Sequence, residues 1–311
     1  MGRARLFGAE GASPREPGIT PSPALPWAVT CVAEVGTGRH NGAMAYDPAD
    51  LRALARLCLA ELAGTALLVV VGLSFVILDF GHGSPVTEVL PSAAARRALT
   101  GGLFGATGMT IALSPVGRVS GAHINPVVSL AFWAEGALPG RTLIGFVVSQ
   151  FTGAVVGAVP LLLWGQRGAS VSYGATAPGR SGIGPAFGGE VVTTFAMVLI
   201  VLAMVAHPRL RAHTPLVFPP LYCFMVWAEA PLSGTSTNPA RSLGPDVVAL
   251  AANSYWLYVV APAAAALLAV AARRLLPPVA DLPIDVAKLA HFEKEAVHVL
   301  VTRAGAARAR G

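Results

Sequence analysis

Two matching polar frames stand out in the sequence, because their residues could bind a neutral solute without covalent chemistry. Both frames read Ser-Gly-x-x-x-Asn-Pro, and they occupy residues 120–126 and 233–239. Asn is a preferred N-cap and Pro a preferred first helical residue, so each frame predicts the start of a helix. One Asn-Pro alone would indicate a turn, but two copies in matching frames are much rarer by chance. We therefore expect Asn125 and Asn238 to act as paired amide donors at one shared site.

The apolar stretches that follow these frames are too short to cross a membrane. Residues 126–134 and 239–252 are apolar, whereas about 20 residues are needed to span a bilayer. We expect each stretch to form a re-entrant half-helix whose positive end lies at the bilayer centre. Irregular backbone before each Asn is tolerated there only where it lines a wet cavity, so its carbonyls would offer acceptors along that cavity.

Arg241 lies three residues after the second asparagine, in the first turn of its half-helix. A charge inside an apolar span is costly, which favours a functional role. The alternative is an arginine that reaches out to the lipid headgroups. The functional interpretation is preferred here, because the same turn carries the amide donor.

The composition favours a protein with several membrane spans. Hydrophobic residues make up 54% of the 311 residues and charged residues only 12%, against about 25% charged residues in a soluble domain. The net charge of +6 comes mostly from arginines in tails and short loops, where membrane topology explains them and nucleic-acid binding is not indicated. The three cysteines form no metal-ligand spacing, so we expect no metal or other cofactor.

Six long apolar runs predict an all-α membrane protein with six transmembrane helices beside the two half-helices. The first run begins near Leu57, too late for a secretory signal peptide. The six runs cover residues 54–78, 97–115, 142–164, 187–206, 215–232 and 255–276.

These runs divide the chain into a membrane domain and two tails. Residues 1–50 are rich in Gly, Pro, Ala and Arg and predict a disordered N-terminal tail. Residues 51–276 form the membrane domain, with one half at 51–164 and the other at 186–276. Residues 277–311 are expected to form a cytoplasmic C-terminal tail.

The two halves also begin alike, which predicts an inverted repeat. Glu61 precedes Thr65 by four positions in span one, and Glu190 precedes Thr194 by four positions in span four. Because three spans is an odd number, the second half enters the membrane from the opposite side, and the shared site lies near the midplane. We expect both glutamates to accept hydrogen bonds from the loop before each Asn. The ring of His123 is expected to brace the first loop while its carbonyl faces the cavity.

The distribution of basic residues between the loops predicts the orientation. An excess of Lys and Arg marks cytoplasmic loops, and an even number of spans puts both termini on one side. We therefore expect a protein of the cell membrane with both termini in the cytoplasm. The arginines on that side are Arg52, Arg56, Arg118, Arg141, Arg209, Arg211, Arg273 and Arg274.

Over residues 54–276 the chain resembles the aquaporin, or major intrinsic protein, family. The second motif reads Asn238-Pro239-Ala240-Arg241-Ser242 and matches the family signature fully. The first reads Asn125-Pro126-Val127, with Val where the family usually has Ala. The two additional methyl groups of Val127 are expected to reshape the pore centre slightly and to leave the fold intact.

The resemblance implies a passive channel, and not an enzyme, that conducts water or small neutral solutes and excludes protons and ions. It also implies an aquaporin-like fold and a homotetramer with one pore per subunit. Arg241 would lie in the outer constriction, with Thr235 and Val226 beside it. Counting back from the first motif puts Gly105 at the fourth position, and a slip of one residue would put Phe104 there instead.

The filter residues leave the choice of solute open. Gly105 with Val226, where water-selective relatives usually carry an aromatic residue and a histidine, favours glycerol or urea. Ser242, where glycerol-passing relatives usually carry Asp, favours water. A secondary transporter built on an inverted repeat is an alternative from another class, but it needs clustered acids at the midplane. No Gly-x-Ser-x-Gly or His-Glu-x-x-His motif indicates an enzyme.

Overall fold

The computed structural model describes residues 48–251, 254–276, 282–284 and 286–289. The predicted N-terminal tail lies almost wholly outside these residues, as does most of the C-terminal tail. Within the described residues the regular structure is helical, with no β-strand. The α-helices are α1 (Pro48–Phe80), α2 (Val86–Val89), α3 (Ala93–Leu113), α4 (Pro115–Ser120), α5 (Pro126–Ala134), α6 (Gly140–Ala158), α7 (Gly165–Ala169), α8 (Ile183–Ala206), α9 (Phe218–Ser233), α10 (Pro239–Ala249) and α11 (Leu257–Leu275).

The six predicted spans correspond to α1, α3, α6, α8, α9 and α11. Five helical segments of the described residues are long and apolar enough to cross a membrane, and they contain α1, α6, α8, α9 and α11. The segment that contains α9 begins at Arg211, in a 3-10 helix that leads into it. The exception is α3. Its 21 residues include two arginines near its start and several glycines and threonines, which lower its apolar character. At 1.5 Å per residue α3 is about 31 Å long, enough to cross the hydrocarbon core.

The two predicted half-helices are present as α5 and α10. They contain 9 and 11 residues, which corresponds to about 14 Å and 17 Å, or half of the hydrocarbon core. Each follows an irregular loop and begins at the proline of its Asn-Pro pair. A buried ion pair of 2.5 Å between Glu135, just after α5, and Arg273 on α11 ties the far end of the first half-helix to the last span.

Helix packing follows the repeat that the sequence predicts. In the first half α1 packs on α6, and in the second half α8 packs on α11 in the same way. Each half-helix also crosses to the other half, since α5 packs on α11 and α10 packs on α6. The contact between α3 and α9 joins the middle spans of the two halves. Every one of these contacts has its counterpart when the halves are exchanged.

Glycines allow the helices of two of these pairs to approach so closely that their backbones are in contact. On α6, a Cβ at Gly153 or Gly157 would clash with the carbonyl oxygen of Leu62 or Ala66 on α1. Small residues are the usual device for close helix contact in membranes, because association there depends on packing.

Glycines also allow close backbone contact between α3 and α9. A Cβ at Gly101 would clash with the carbonyl oxygen of Tyr222, and a Cβ at Gly105 would clash with that of Phe218. The Cα of Gly105 is therefore turned toward the backbone of α9. Gly102, on the same helix, has only ordinary contact at this position, with the Cβ of Cys223 at 3.8 Å.

We expect Gly105→Ala to lower the stability of the protein by about 1–3 kcal/mol, because an added methyl group would push α3 away from α9. Gly102→Ala is the matched control, and it should be neutral or slightly stabilising, since Ala is the better helix former. Thermal unfolding of both variants in detergent measures the difference. Equal melting temperatures for the two variants would show that the close α3–α9 contact is unimportant.

Candidate functional site

The two asparagines cap the half-helices that follow them. The Asn125 side-chain oxygen accepts a hydrogen bond from the Val127 N–H at 3.0 Å. The Asn238 oxygen accepts from the N–H groups of Ala240 at 3.0 Å and Arg241 at 3.2 Å. A side-chain oxygen at the N-cap bonds the otherwise unpaired amides of the first turn. Each asparagine therefore has its oxygen turned toward its own helix and its nitrogen turned away.

The amide nitrogens join the two loops to each other. Asn125 Nδ2 donates to the carbonyl oxygen of Thr237, and Asn238 Nδ2 donates to that of Ile124, both at 2.9 Å. An amide nitrogen carries two hydrogens, so one donor per asparagine is left over from this pair of bonds. Both asparagines line one central cavity. The arrangement offers two adjacent donors to an oxygen atom in that cavity.

The loop before each asparagine has the same unusual backbone. The residues three and one positions before Asn125 are Ala122 and Ile124, with φ of 53° and 42°. The equivalent residues before Asn238 are Thr235 and Thr237, with φ of 53° and 52°. Left-handed conformations cost about 1–3 kcal/mol for such residues and persist only where surrounding contacts hold them.

Two buried carboxylates supply those contacts. Glu61 accepts hydrogen bonds from the N–H groups of His123 at 2.9 Å and Ile124 at 2.6 Å. It also accepts from Gln150 Nε2 at 2.7 Å. Successive N–H groups beside a left-handed residue form a concave site for an anion, and Glu61 occupies it.

Glu190 does the same for the second loop. Its carboxylate accepts from the N–H groups of Ser236 at 2.6 Å and Thr237 at 2.8 Å, and from the hydroxyl of Ser233 at 2.6 Å. Each glutamate thus bonds the two residues directly before its asparagine. Hydrogen bonds to a charged group are roughly twice as strong as neutral ones, which offsets the unfavourable backbone.

The His123 ring fills the space behind the first loop. Nδ1 lies 3.1 Å from Ser129 Oγ on α5, and Nε2 lies 3.0 Å from the carbonyl oxygen of Ala287. The ring also stacks on Phe132, with 4.7 Å between centroids. The imidazole is therefore held on three sides by α5 and by the C-terminal segment.

A second cavity, of about 250 Å³, lies beyond the asparagines and contains Arg241. The Arg241 side chain is only 5% exposed, and its Nη1 donates to the carbonyl oxygen of Gly174 at 2.8 Å. Its guanidinium carbon lies 5.9 Å from the centre of the Phe104 ring. Val226 and Thr235 line the same cavity.

At the position left open between Gly105 and Phe104, the structure has Phe104. Its ring lies beside Arg241, whereas Gly105 faces α9 and reaches only the central cavity. Of the two residues that the sequence left open, Phe104 therefore lies at the level of Arg241, and its part in a filter stays a prediction. The neighbouring Gly105 packs against the backbone of α9, and a count along the sequence does not show this tertiary contact.

The residues that follow each proline lie behind the pore. Val127 and Ala240 are both buried in the hydrophobic core, and neither is among the residues that line the two cavities. The additional methyl groups of Val127 therefore pack between helices. The slight reshaping of the pore centre that the sequence suggested stays a prediction.

Sequence reasoning missed Glu229, which lies in the fifth predicted span. Its side chain is only 5% exposed, and one carboxylate oxygen accepts a hydrogen bond from the Thr235 hydroxyl. The other oxygen has no hydrogen-bond partner among the described residues. It lies where a Cβ on Gly189 would be, so the glycine leaves room for it. The sequence did contain a signal for Glu229, because an acid within an apolar run is costly and therefore indicates a functional role.

We expect Glu190→Gln to lower the stability of the protein. The glutamine has one NH2 group in place of a carboxylate oxygen, so at least one loop N–H group would face a second donor and lose its acceptor. An unsatisfied buried donor costs about 1–3 kcal/mol. Thermal unfolding in detergent measures the loss, and Glu88→Gln, at an exposed glutamate, is the control. If the two variants unfold at the same temperature, Glu190 does not hold the loop.

Three comparisons with known proteins agree with this geometry. The family model described as Major intrinsic protein matches residues 50–272. The chain is 30% identical over 216 residues to Aquaporin NIP3-1 of Arabidopsis thaliana, a match that covers 67% of this chain and 64% of that protein. It is 30% identical over 243 residues to Aquaporin AqpM of Methanothermobacter marburgensis, covering 70% of this chain and 95% of that one.

A solved structure shares the fold. The aquaglyceroporin from Plasmodium falciparum superposes with a TM-score of 0.58 at 19% sequence identity. The superposition covers 73% of this chain and 98% of that one. At this identity the likeness concerns the arrangement of the helices and not the choice of solute.

Proposed function

Since the chain belongs to the major intrinsic protein family, we propose that it is a passive channel for water and small neutral solutes, with its pore between the two half-helices. The observation that carries the proposal is the pair of bonds between the loops, from Asn125 to Thr237 and from Asn238 to Ile124. These bonds hold both amides at one level of the cavity, where a second hydrogen of each can meet a passing oxygen. No step requires a covalent bond, so the protein is not an enzyme.

The same amides would stop protons. A water molecule that accepts from both Asn125 and Asn238 has its lone pairs turned to them, which interrupts the chain of hydrogen bonds along which a proton could hop. The positive ends of α5 and α10 meet at this level and repel cations. Pores of this type use both half-helix dipoles and an arginine as electrostatic barriers.

Arg241 would form the outer filter with Phe104, Val226 and Thr235. The guanidinium donates hydrogen bonds to solutes and repels cations, while the Phe104 ring narrows the cavity opposite it. An aromatic residue at this level, together with Ser242 after the arginine, favours water as the main solute.

Glycerol or urea is the second candidate. Val226 has no polar atom and is smaller than the histidine of water-selective relatives, so that side of the constriction is wider and less polar. The outer cavity of about 250 Å³ could hold a molecule of this size. Water conduction and the passage of a small neutral solute are therefore both to be measured.

The membrane setting is part of the proposal. The arginines at both ends of the membrane domain and in two of the loops support cytoplasmic termini in the cell membrane. Large apolar side chains such as Ile144, Leu163 and Val192 remain exposed in the single chain. Lipid or neighbouring subunits would cover them, in keeping with the homotetramer that the family resemblance implies.

We expect proteoliposomes that contain the protein to shrink faster than empty ones under a sucrose gradient. Phe104→Ala should raise glycerol permeability relative to water permeability by about tenfold, because the constriction loses its largest side chain. Phe224→Ala, which removes an exposed aromatic outside the pore, is the control. Shrinkage equal to that of empty liposomes under sucrose, glycerol and urea would refute the channel, and an unchanged glycerol-to-water ratio would remove Phe104 from the filter.

We expect Arg241→Val to raise the passage of larger or charged solutes, because the variant loses both the bulk and the charge that oppose them. Ion flux and uptake of small polyols by proteoliposomes measure this change. Arg180→Val removes an exposed arginine from a loop and should leave selectivity as it is. A selectivity profile that Arg241→Val leaves intact would contradict the filter role.

A further inference from the structure

A short C-terminal segment, residues 286–289, lies across the loop that precedes the first half-helix. The N–H of Leu289 donates to the carbonyl oxygen of Gly121 at 3.0 Å. In the other direction, the carbonyl oxygen of Ala287 meets His123 Nε2 at 3.0 Å. Because a carbonyl can only accept, the imidazole donates this bond. The segment is therefore bound through its backbone, as peptides are on other proteins.

The side chains of the segment add to this backbone contact. Lys288 Nζ donates to the carbonyl oxygen of Arg118 at 2.9 Å. Ala287 packs against the hydrophobic core, and so does Ile284 just before the segment. Leu289 is itself part of the core and is only 3% exposed. For a residue 14 positions after Leu275, where the last span ends, this burial is unusual.

Gly121 leaves the space beside the loop that the segment occupies. Its φ of 93° lies in the left-handed region, and a Cβ there would approach the Ala287 oxygen to 2.6 Å and the Lys288 Cα to 2.8 Å. Any other residue at this position would therefore displace the segment as well as strain the loop. Upstream, Arg273 Nη1 donates to the carbonyl oxygen of Leu282 at 3.2 Å, which ties residue 282 to the last span.

Leu289 also lines the central cavity that contains the two asparagines. Leu68, Gly108 and Phe218 line the same cavity. The cavity has a volume of about 40 Å³, which is room for about three water molecules. The Leu289 side chain is thus part of the apolar wall of the cavity beside the asparagines. Apolar constrictions in channels block conduction by excluding water.

We propose that the surface around Gly121 and His123 is a binding site for the chain's own C-terminal segment 286–289, and that Leu289 closes the pore there. In the natural chain the segment leaves this surface for part of the time, and the channel conducts only then. The proposal rests on the proposed channel function, because a gate has meaning only where there is a pore. Binding of the segment, however, can be tested without any measurement of transport.

Cysteine labelling of the full-length chain tests the binding. With Cys31, Cys58 and Cys223 replaced by Ser, Leu289→Cys should react with a maleimide at least about tenfold more slowly than Leu276→Cys, because a buried thiol reacts only when its segment opens. Leu276 is 42% exposed and lies in the same tail. Equal labelling rates would overturn the proposal, whatever the transport measurements show.

Water permeability of proteoliposomes tests the closure. Leu289→Ser should raise the water permeability per protein by about tenfold. The variant loses the free energy that is gained when one leucine is buried, so the segment is bound for less of the time. Leu276→Ser should equal the natural sequence. If Leu289→Ser also equals the natural sequence while both exceed empty liposomes, the channel stands and the gate is wrong. If every variant equals empty liposomes, the channel function fails together with the gate.

Discussion

Backbone groups inside a bilayer need hydrogen-bond partners, and this requirement dominates the structure. A helix satisfies the requirement by itself, but the two loops that precede α5 and α10 do not. Glu61 and Glu190 each bond two successive N–H groups of a loop. The buried carboxylates thus stabilise the irregular backbone, and through it they determine where the asparagines lie. Two of the spans, α1 and α8, carry these glutamates.

Much of this arrangement could be predicted from the sequence, because the repeat provides an internal check. Asn125 and Asn238 occur in matching frames, and Glu61 and Glu190 precede those frames at matching places, so each half supports the interpretation of the other. The half-helix at 126–134 has the predicted bounds. Local rules were sufficient here, since Asn-Pro followed by an apolar stretch encodes a helix start within a few residues.

Features without a counterpart in the other half were harder to predict. Phe104 lies beside Arg241 because Gly105 packs against the backbone of α9, and a count along the sequence leaves this choice open by one residue. Glu229 was overlooked, because no frame in the first half points to it. The contact of Leu289 with Gly121 joins residues 168 positions apart, and no periodic pattern records such a pairing. Tertiary packing determines where Phe104 and Leu289 lie, whereas Glu229 carried a sequence signal as an acid within an apolar run.

The reciprocal bonds between the asparagines and the opposite loops also bear on how the protein is made. Asn125 pairs with a carbonyl 112 residues later in the chain, and Asn238 pairs with one 114 residues earlier. While the ribosome is still synthesising the second half, the first loop has its glutamate but not its partner loop. The first half-helix is therefore synthesised before its final neighbour exists, and the residues that complete the pore come from the last third of translation.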